Sequence, residues 1–172
     1  MTVITGTNTA GGKVTKVIIR NNLFDDIGPN WGYRHSLFTL LSGISGVTIE
    51  NNTASPSVLL RTLILADGTP TSGLVFRANI SQRGEYGVFG SGCGEGTKAL
   101  AGYFPSAVFT NNVIYQSPAN LATSYPAVNY FPFTASEVGW STTGNYSLSS
   151  TSPYKGRGIG GLDPGINVTT LT

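Results

Sequence analysis

Eight carboxylates carry the acid chemistry available to this chain: Asp25, Asp26, Glu50, Asp67, Glu85, Glu95, Glu137 and Asp163. Cleaving a glycosidic bond with paired carboxylates needs two of them about 5–9.5 Å apart, and no spacing here matches a motif that guarantees such a pair. Asp25 and Asp26 are neighbours where a short run of apolar residues ends, and Asp67-Gly68 is a turn dipeptide. His35 is the single histidine and Cys93 the single cysteine, which excludes sites built from several of either and any internal disulfide framework. Ser36 adjoins His35, and neighbours on a strand face opposite sides, so the two do not form a nucleophile pair. The residues better suited to a ligand are aromatic, cationic or polar side chains in turn segments: Trp31, Tyr33, Arg34, Arg83, Tyr86, Glu95 and Lys98. Aromatic faces and planar polar groups suit sugar rings, and Arg suits a uronic carboxylate. These seven are the expected carbohydrate-binding residues, with Arg61, Glu85 and His35 as candidates for catalysis. No metal site is expected.

The elements that must position them follow from a repeat. Val17-Ile18-Ile19-Arg20-Asn21-Asn22, Val47-Thr48-Ile49-Glu50-Asn51-Asn52, Leu74-Val75-Phe76-Arg77-Ala78-Asn79 and Ala107-Val108-Phe109-Thr110-Asn111-Asn112 are versions of one phrase, with a weaker copy ending at Asn145. The last Asn recurs at intervals of 30, 27, 33 and 33 residues. A period of that size is the signature of stacked repeats. Each copy is a β-branched or aromatic run that stops at Asn, a residue that tolerates the left-handed conformation and so turns a strand sharply. Stacked at about 4.8 Å, Asn22, Asn52, Asn79, Asn112 and Asn145 would form a hydrogen-bonded amide ladder.

Between the copies lie further strand-like runs, at 36–41, 58–65 and 86–89, and connectors rich in Gly, Pro, Asn and Ser. No amphipathic segment of ten or more residues offers a crossover helix for a flat parallel sheet. The fold class is therefore all-β: a parallel β-helix, right-handed by the crossover rule, of about five to six coils. The 172 residues form a single domain, with 1–13 as a frayed or partial first coil and 146–172 as a closing segment across the open end, covering the last strand edges. Residues 25–34 are expected to project as a long turn, and 90–104 as an enlarged loop in the fourth coil. Tyr125, Tyr130, Phe131, Phe133 and Trp140 are expected to close the column mainly as core. The residues two before each marker Asn, namely Arg20, Glu50, Arg77, Thr110 and Thr143, should form one outward column with opposite charges adjacent.

The phrases V-x-I-E/R-N-N and A-V-F-T-N-N-V-I resemble the coil repeat of right-handed parallel β-helix proteins of the pectate-lyase-like superfamily. Ser152-Pro153-Tyr154-Lys155-Gly156 with Gly161-Leu162-Asp163-Pro164-Gly165 is similar to the closing segment of many secreted bacterial members. The resemblance runs from about residue 14 to 166. It implies a carbohydrate-interacting protein, with polysaccharide or oligosaccharide as partner, and a lyase or glycoside hydrolase if it is an enzyme. It allows calcium, since lyases on this fold hold that ion with clustered carboxylates and abstract a sugar-ring proton with Arg or Lys. No catalytic motif of the family is matched, and no cofactor is evident from the residues themselves. The alternative is a non-catalytic structural or adhesive module.

Composition sets the outer bounds. Charged residues make up 10% of the chain, against about 25% in ordinary globular proteins, which with the resemblance suggests an extracellular or cell-surface parent protein. The N-terminus lacks the basic and long apolar regions of a signal peptide, and no apolar run approaches the roughly 20 residues of a membrane span. A formal net charge of +2 with scattered Lys and Arg does not suit nucleic acid. The first coil has no obvious cap, which leaves it open to homo-oligomer formation with a second copy or to missing upstream sequence.

Overall fold

The structure, a computed structural model, describes residues 2–6, 12–25, 35–55, 59–141 and 146–168. The repeat phrase winds into successive coils because its β-branched runs are too short to do anything but pair sideways with the next copy. The first coil holds β1 (Thr2–Ile4), β2 (Val14–Thr15), β3 (Ile18–Arg20) and β4 (Leu23–Asp25). The second holds β5 (Ser36–Leu40), β6 (Ile44–Ser45), β7 (Thr48–Glu50) and β8 (Thr53–Ser55). The third holds β9 (Thr62–Ala66), β10 (Val75–Arg77) and β11 (Ile80–Gln82). The fourth holds β12 (Val88–Gly90), β13 (Gly94–Glu95), β14 (Val108–Thr110) and β15 (Val113–Tyr115).

Strands of successive coils lie side by side, in the orders β1-β5-β9-β12-β13, β14-β10-β7-β3, β15-β11-β8-β4 and β2-β6. Among the described strands, every pairing between coils is parallel, and β12 with β13, inside one coil, is antiparallel. This is the predicted β-solenoid, with four coils making about three full turns rather than five to six coils. The count falls short because the described residues of the weak copy at the C-terminal end enter none of these sheets. Trp140 bridges antiparallel to Leu148, and the place beyond β15 is taken by Tyr130, bridging parallel to Val113.

The two asparagines of each phrase have separate tasks. The first sits in the left-handed region and turns β3 into β4 or its equivalent: φ is 54° at Asn21, 51° at Asn51 and 58° at Asn111, with Ala78 at 51° in the third coil. The second builds the ladder. The backbone N and Nδ2 of Asn22 both donate to Asn52 Oδ1 at 3.0 Å, and those of Asn52 to Asn79 Oδ1 at 3.0 Å. Asn79 donates likewise to Asn112 at 3.0 and 3.1 Å. The following rung is Asn129, which accepts from Asn112 at 3.1 and 2.9 Å; Asn145 lies outside the described residues. Arg20, Glu50, Arg77 and Thr110 stand in register as an outward column, with Arg77 Nε donating to Glu50 Oε2 at 2.8 Å. Thr143 lies outside the described residues.

The interior is an aromatic spine. Phe24, Phe38, Phe76, Phe109, Tyr125 and Phe131 follow one another with ring centroids 5.2–6.1 Å apart, within a cluster of buried Leu, Ile and Val. Residues 118–138, not the chain end, close the column: Leu121 and Tyr125 are buried in the main core and Phe131 packs against it. Phe133 is 65% exposed and takes no part.

The final segment takes a different path from the expected one. It runs down the flank from the fourth coil to the first, bonding to the corner of each coil. Asn111 Nδ2 donates to Arg157 O at 2.8 Å, and Gly165 N to Ala78 O at 2.7 Å. Ile166 N donates to Thr53 Oγ1 at 3.0 Å and Asn167 N to Asn21 Oδ1 at 2.6 Å. With residues 135–140 it helps enclose a second core of Ile80, Val113, Tyr115, Val138 and Leu148, packed by Trp140 and Tyr154. The apolar outer positions of β11 and β15 explain that path, since a sheet apolar on both faces must be covered on both.

The enlarged fourth coil is not a structureless loop. Beyond β13 it carries α1 (Thr97–Tyr103), which buries Ala99 and Leu100 and contacts β12. Lys-Ala-Leu-Ala is a run of good helix formers, too short to have shown a helical period.

Candidate functional site

The outer side of the sheet β1-β5-β9-β12 carries an open groove of about 720 Å³. Strand register accounts for its floor. Val3 pairs with Thr39, Thr39 with Leu65, and Leu65 with Phe89, so four successive coils each contribute one side chain to a single row. A second row lies along one side. Arg61 N donates to His35 O at 3.2 Å and Tyr86 N to Arg61 O at 3.0 Å, which stacks His35, Arg61 and Tyr86 one above another. All three line the groove.

The two rows meet at an aromatic pair, Tyr86 and Phe89, with ring centroids 5.5 Å apart at 51°. Tyr86 is among the exposed large side chains. Deeper in the lining, Thr62 Oγ1 donates to Ser36 Oγ at 2.6 Å, so these hydroxyls are engaged with each other. Arg61 is exposed and forms no ion pair among the described residues. The described lining holds no carboxylate. The groove therefore combines a cation, an imidazole and a pair of aromatic faces over an apolar floor.

Of the residues expected from sequence, His35, Arg61 and Tyr86 come together here. Trp31, Tyr33 and Arg34 lie outside the described residues. Arg83 and Glu95, expected as ligand contacts, are instead joined to each other. Arg83 Nε donates to Glu95 Oε1 at 2.8 Å and Nη2 to Oε2, with the two side chains only 15% and 20% exposed. Tyr125 Oη donates to Glu95 Oε1 at 3.1 Å while accepting from Val88 N at 2.9 Å. Burial, then the Glu95 charge, raises the Tyr125 pKa well above the usual phenol value, which keeps that hydroxyl a donor. This cluster ties β13 to the column and to the residues that close it. Glu85, beside Tyr86, is held at its backbone by Leu60 O at 3.0 Å and is not in the lining. Lys98 is exposed on α1, away from the groove.

Sequence reasoning missed Val3, Thr39, Leu65 and Phe89. Their signal was present in the second strand of each coil, but it becomes legible only once the register between those strands is known. Among the described residues no three His, Cys, Asp or Glu side chains gather as a metal cluster, and no helix is long and apolar enough to cross a membrane. The chain matches no family model, no curated protein and no solved structure.

Proposed function

We propose that this is a carbohydrate-interacting β-helix protein of the pectate-lyase-like type, from an extracellular or cell-surface parent, whose groove binds an acidic polysaccharide. The observation that carries the reading is the stacked row of His35, Arg61 and Tyr86 beside the Phe89 ring. An aromatic face lies against the apolar side of a sugar ring, and an unpaired guanidinium beside it selects a ring bearing a carboxylate. The low content of charged residues and the resemblance of the coil phrases support the same reading. Two-carboxylate hydrolysis is the cleaving chemistry least supported, since the described lining holds no pair of acids.

The test is binding of the purified chain to uronate-rich and neutral polysaccharides, with and without calcium, followed by titration of the fragments that bind. Uronate oligosaccharides are expected to bind, and Arg61→Ala and Tyr86→Ala each to weaken binding about tenfold. Absence of binding to any polysaccharide, or binding indifferent to both substitutions, would leave the second reading: a structural or adhesive module. Release of shortened or unsaturated products would turn the reading from binding to processing.

A further inference from the structure

Strand β12 carries the aromatic end of the groove, and its two sides are held differently. Towards the third coil, main-chain bonds fix the turn that bears Tyr86: Glu85 N donates to Leu60 O and Tyr86 N to Arg61 O at 3.0 Å each, and Leu63 N to Gly87 O at 2.8 Å. On the other side, where a further coil would pair, stands the antiparallel β13, with Glu95 in register with Phe89. Side chains there converge on Gly87 and Val88, the residues between the two groove rings. Val88 N donates to Tyr125 Oη at 2.9 Å, and that hydroxyl donates on to Glu95 Oε1 at 3.1 Å. Gly87, at φ +56°, packs so closely that a Cβ there would run into both Tyr125 Oη and Glu95 Oε1. Arg83, shortly before Tyr86, closes the cluster by gripping both Glu95 oxygens and donating from Nη1 to Gly84 O at 3.1 Å.

We propose that Arg83, Glu95 and Tyr125 are positioning residues for the groove, holding Tyr86 against Phe89 as a preformed stacking surface; the use of that surface for a sugar rests on the carbohydrate reading above. A binding aromatic serves best when its ring is already placed, because a side chain immobilised on binding costs affinity. Tyr86 is 43% exposed, so the placement of its ring depends on the turn that carries it. A bidentate Arg–carboxylate pair suits that task, since its fork sets an angle as well as a distance. Tyr125 ties the cluster to the aromatic spine, its ring 5.6 Å from that of Phe109 and 5.2 Å from that of Phe131. The pose of the groove rings is thereby referred to the packed core.

Tyr125→Phe keeps the ring in the spine and removes the hydroxyl that joins Val88 to Glu95. The nuclear Overhauser contact between the Tyr86 and Phe89 rings, measured on the free chain, is expected to weaken, while that between Phe76 and Phe109 persists. Affinity for uronate oligosaccharides should fall about fivefold, the penalty of ordering a loosened ring again on binding. Glu95→Ala should weaken both further, with an added loss of stability from the unpaired Arg83. Gly165→Ala, on the flank segment, is the control for stability alone: it should lower the urea midpoint and leave the ring contact and the affinity unchanged. An unchanged ring contact or an unchanged affinity in Tyr125→Phe, or an equal loss in Gly165→Ala, would overturn the proposal. Failure of the unsubstituted chain to bind any polysaccharide would instead sink the carbohydrate reading, and the ring contact, which needs no ligand, would still decide this one.

Discussion

Asn79 shows how much one side chain can hold in this column. Its Oδ1 accepts from the backbone and side chain of Asn52, and its Nδ2 reaches back to Ile49 O at 3.0 Å, all at a buried position. Asn79→Ala takes the acceptor from the Asn52 backbone N where water does not reach, while Asn52 Nδ2 keeps Ile19 O and Glu50 O, and should cost about 2 kcal/mol in chemical denaturation. Asn22→Ala, at the exposed end, should cost less than about 1 kcal/mol, because water replaces what is lost. Ser81 is the converse case. It pairs in register with Ile114, and its buried hydroxyl has no hydrogen-bond partner among the described residues. Ser81→Ala should raise stability by about 1 kcal/mol, read as a shift of the urea midpoint at unchanged slope. The amide ladder could be read from the spacing of asparagines, because its period is that of the chain itself. The engagement of Arg83 with Glu95 could not, since the partners belong to different turns and only the folded path of β13 brings them together.

At the scale of elements, the flank segment is the feature with most leverage. Gly165 sits at φ +84°, and a Cβ there would lie 2.6 Å from Thr53 Oγ1 and 2.9 Å from Ile80 Cδ1. Gly165→Ala should therefore destabilise by about 2 kcal/mol or more and loosen the segment over β8 and β11, measurable as faster proteolysis near residue 165. The segment is also sensitive to acid. Partial burial alone would raise the Asp163 pKa, but hydrogen bonds from Lys155 Nζ at 2.6 Å and Gly156 N at 2.8 Å hold it below the ordinary value of 3.8. A carboxyl depressed in the folded state contributes stability that is complete above its unfolded pKa and fades as pH falls through the folded one. Acid below about pH 4 should therefore loosen this segment, and Asp163→Asn should remove that pH dependence. The strands were legible from their β-branched runs and their corners from Asn. The path of the last segment was not, because sequence did not reveal that the outer positions of β11 and β15 are apolar and must be covered. Nor was α1, whose seven residues are too few for a period.

For the molecule as a whole, stacked coils have a stability close to a sum of neighbour contacts, so an unmodified column should fray from its least supported end. That end is the first coil, where β3 and β4 have a neighbour on one side only and Ile18 is 64% exposed. The flank segment changes the expectation by linking coils that are not neighbours. Its contacts with the first coil include Asn21, whose Oδ1 accepts from Asn167 N and whose Nδ2 donates to Asn167 O at 3.4 Å, and Asp25, whose Oδ1 accepts from Tyr146 Oη at 2.7 Å. Asn21→Gly keeps the left-handed corner free of strain, since glycine adopts positive φ without cost, while removing both side-chain bonds. Amide exchange at β3 and β4 should then accelerate roughly five- to tenfold, with β10 and β11 unchanged. Equal acceleration in all coils would mean that the column opens as one cooperative unit. No change would mean that neighbour stacking and the Tyr146–Asp25 bond hold the first coil without Asn21. The groove spans β1, β5, β9 and β12, so its Val3 end belongs to this least supported coil and its Phe89 end to the fourth coil, which β13 and α1 pack against. A ligand that grips Tyr86 and Phe89 rests on the rigid part of the column, and Asn21→Gly should leave its affinity unchanged.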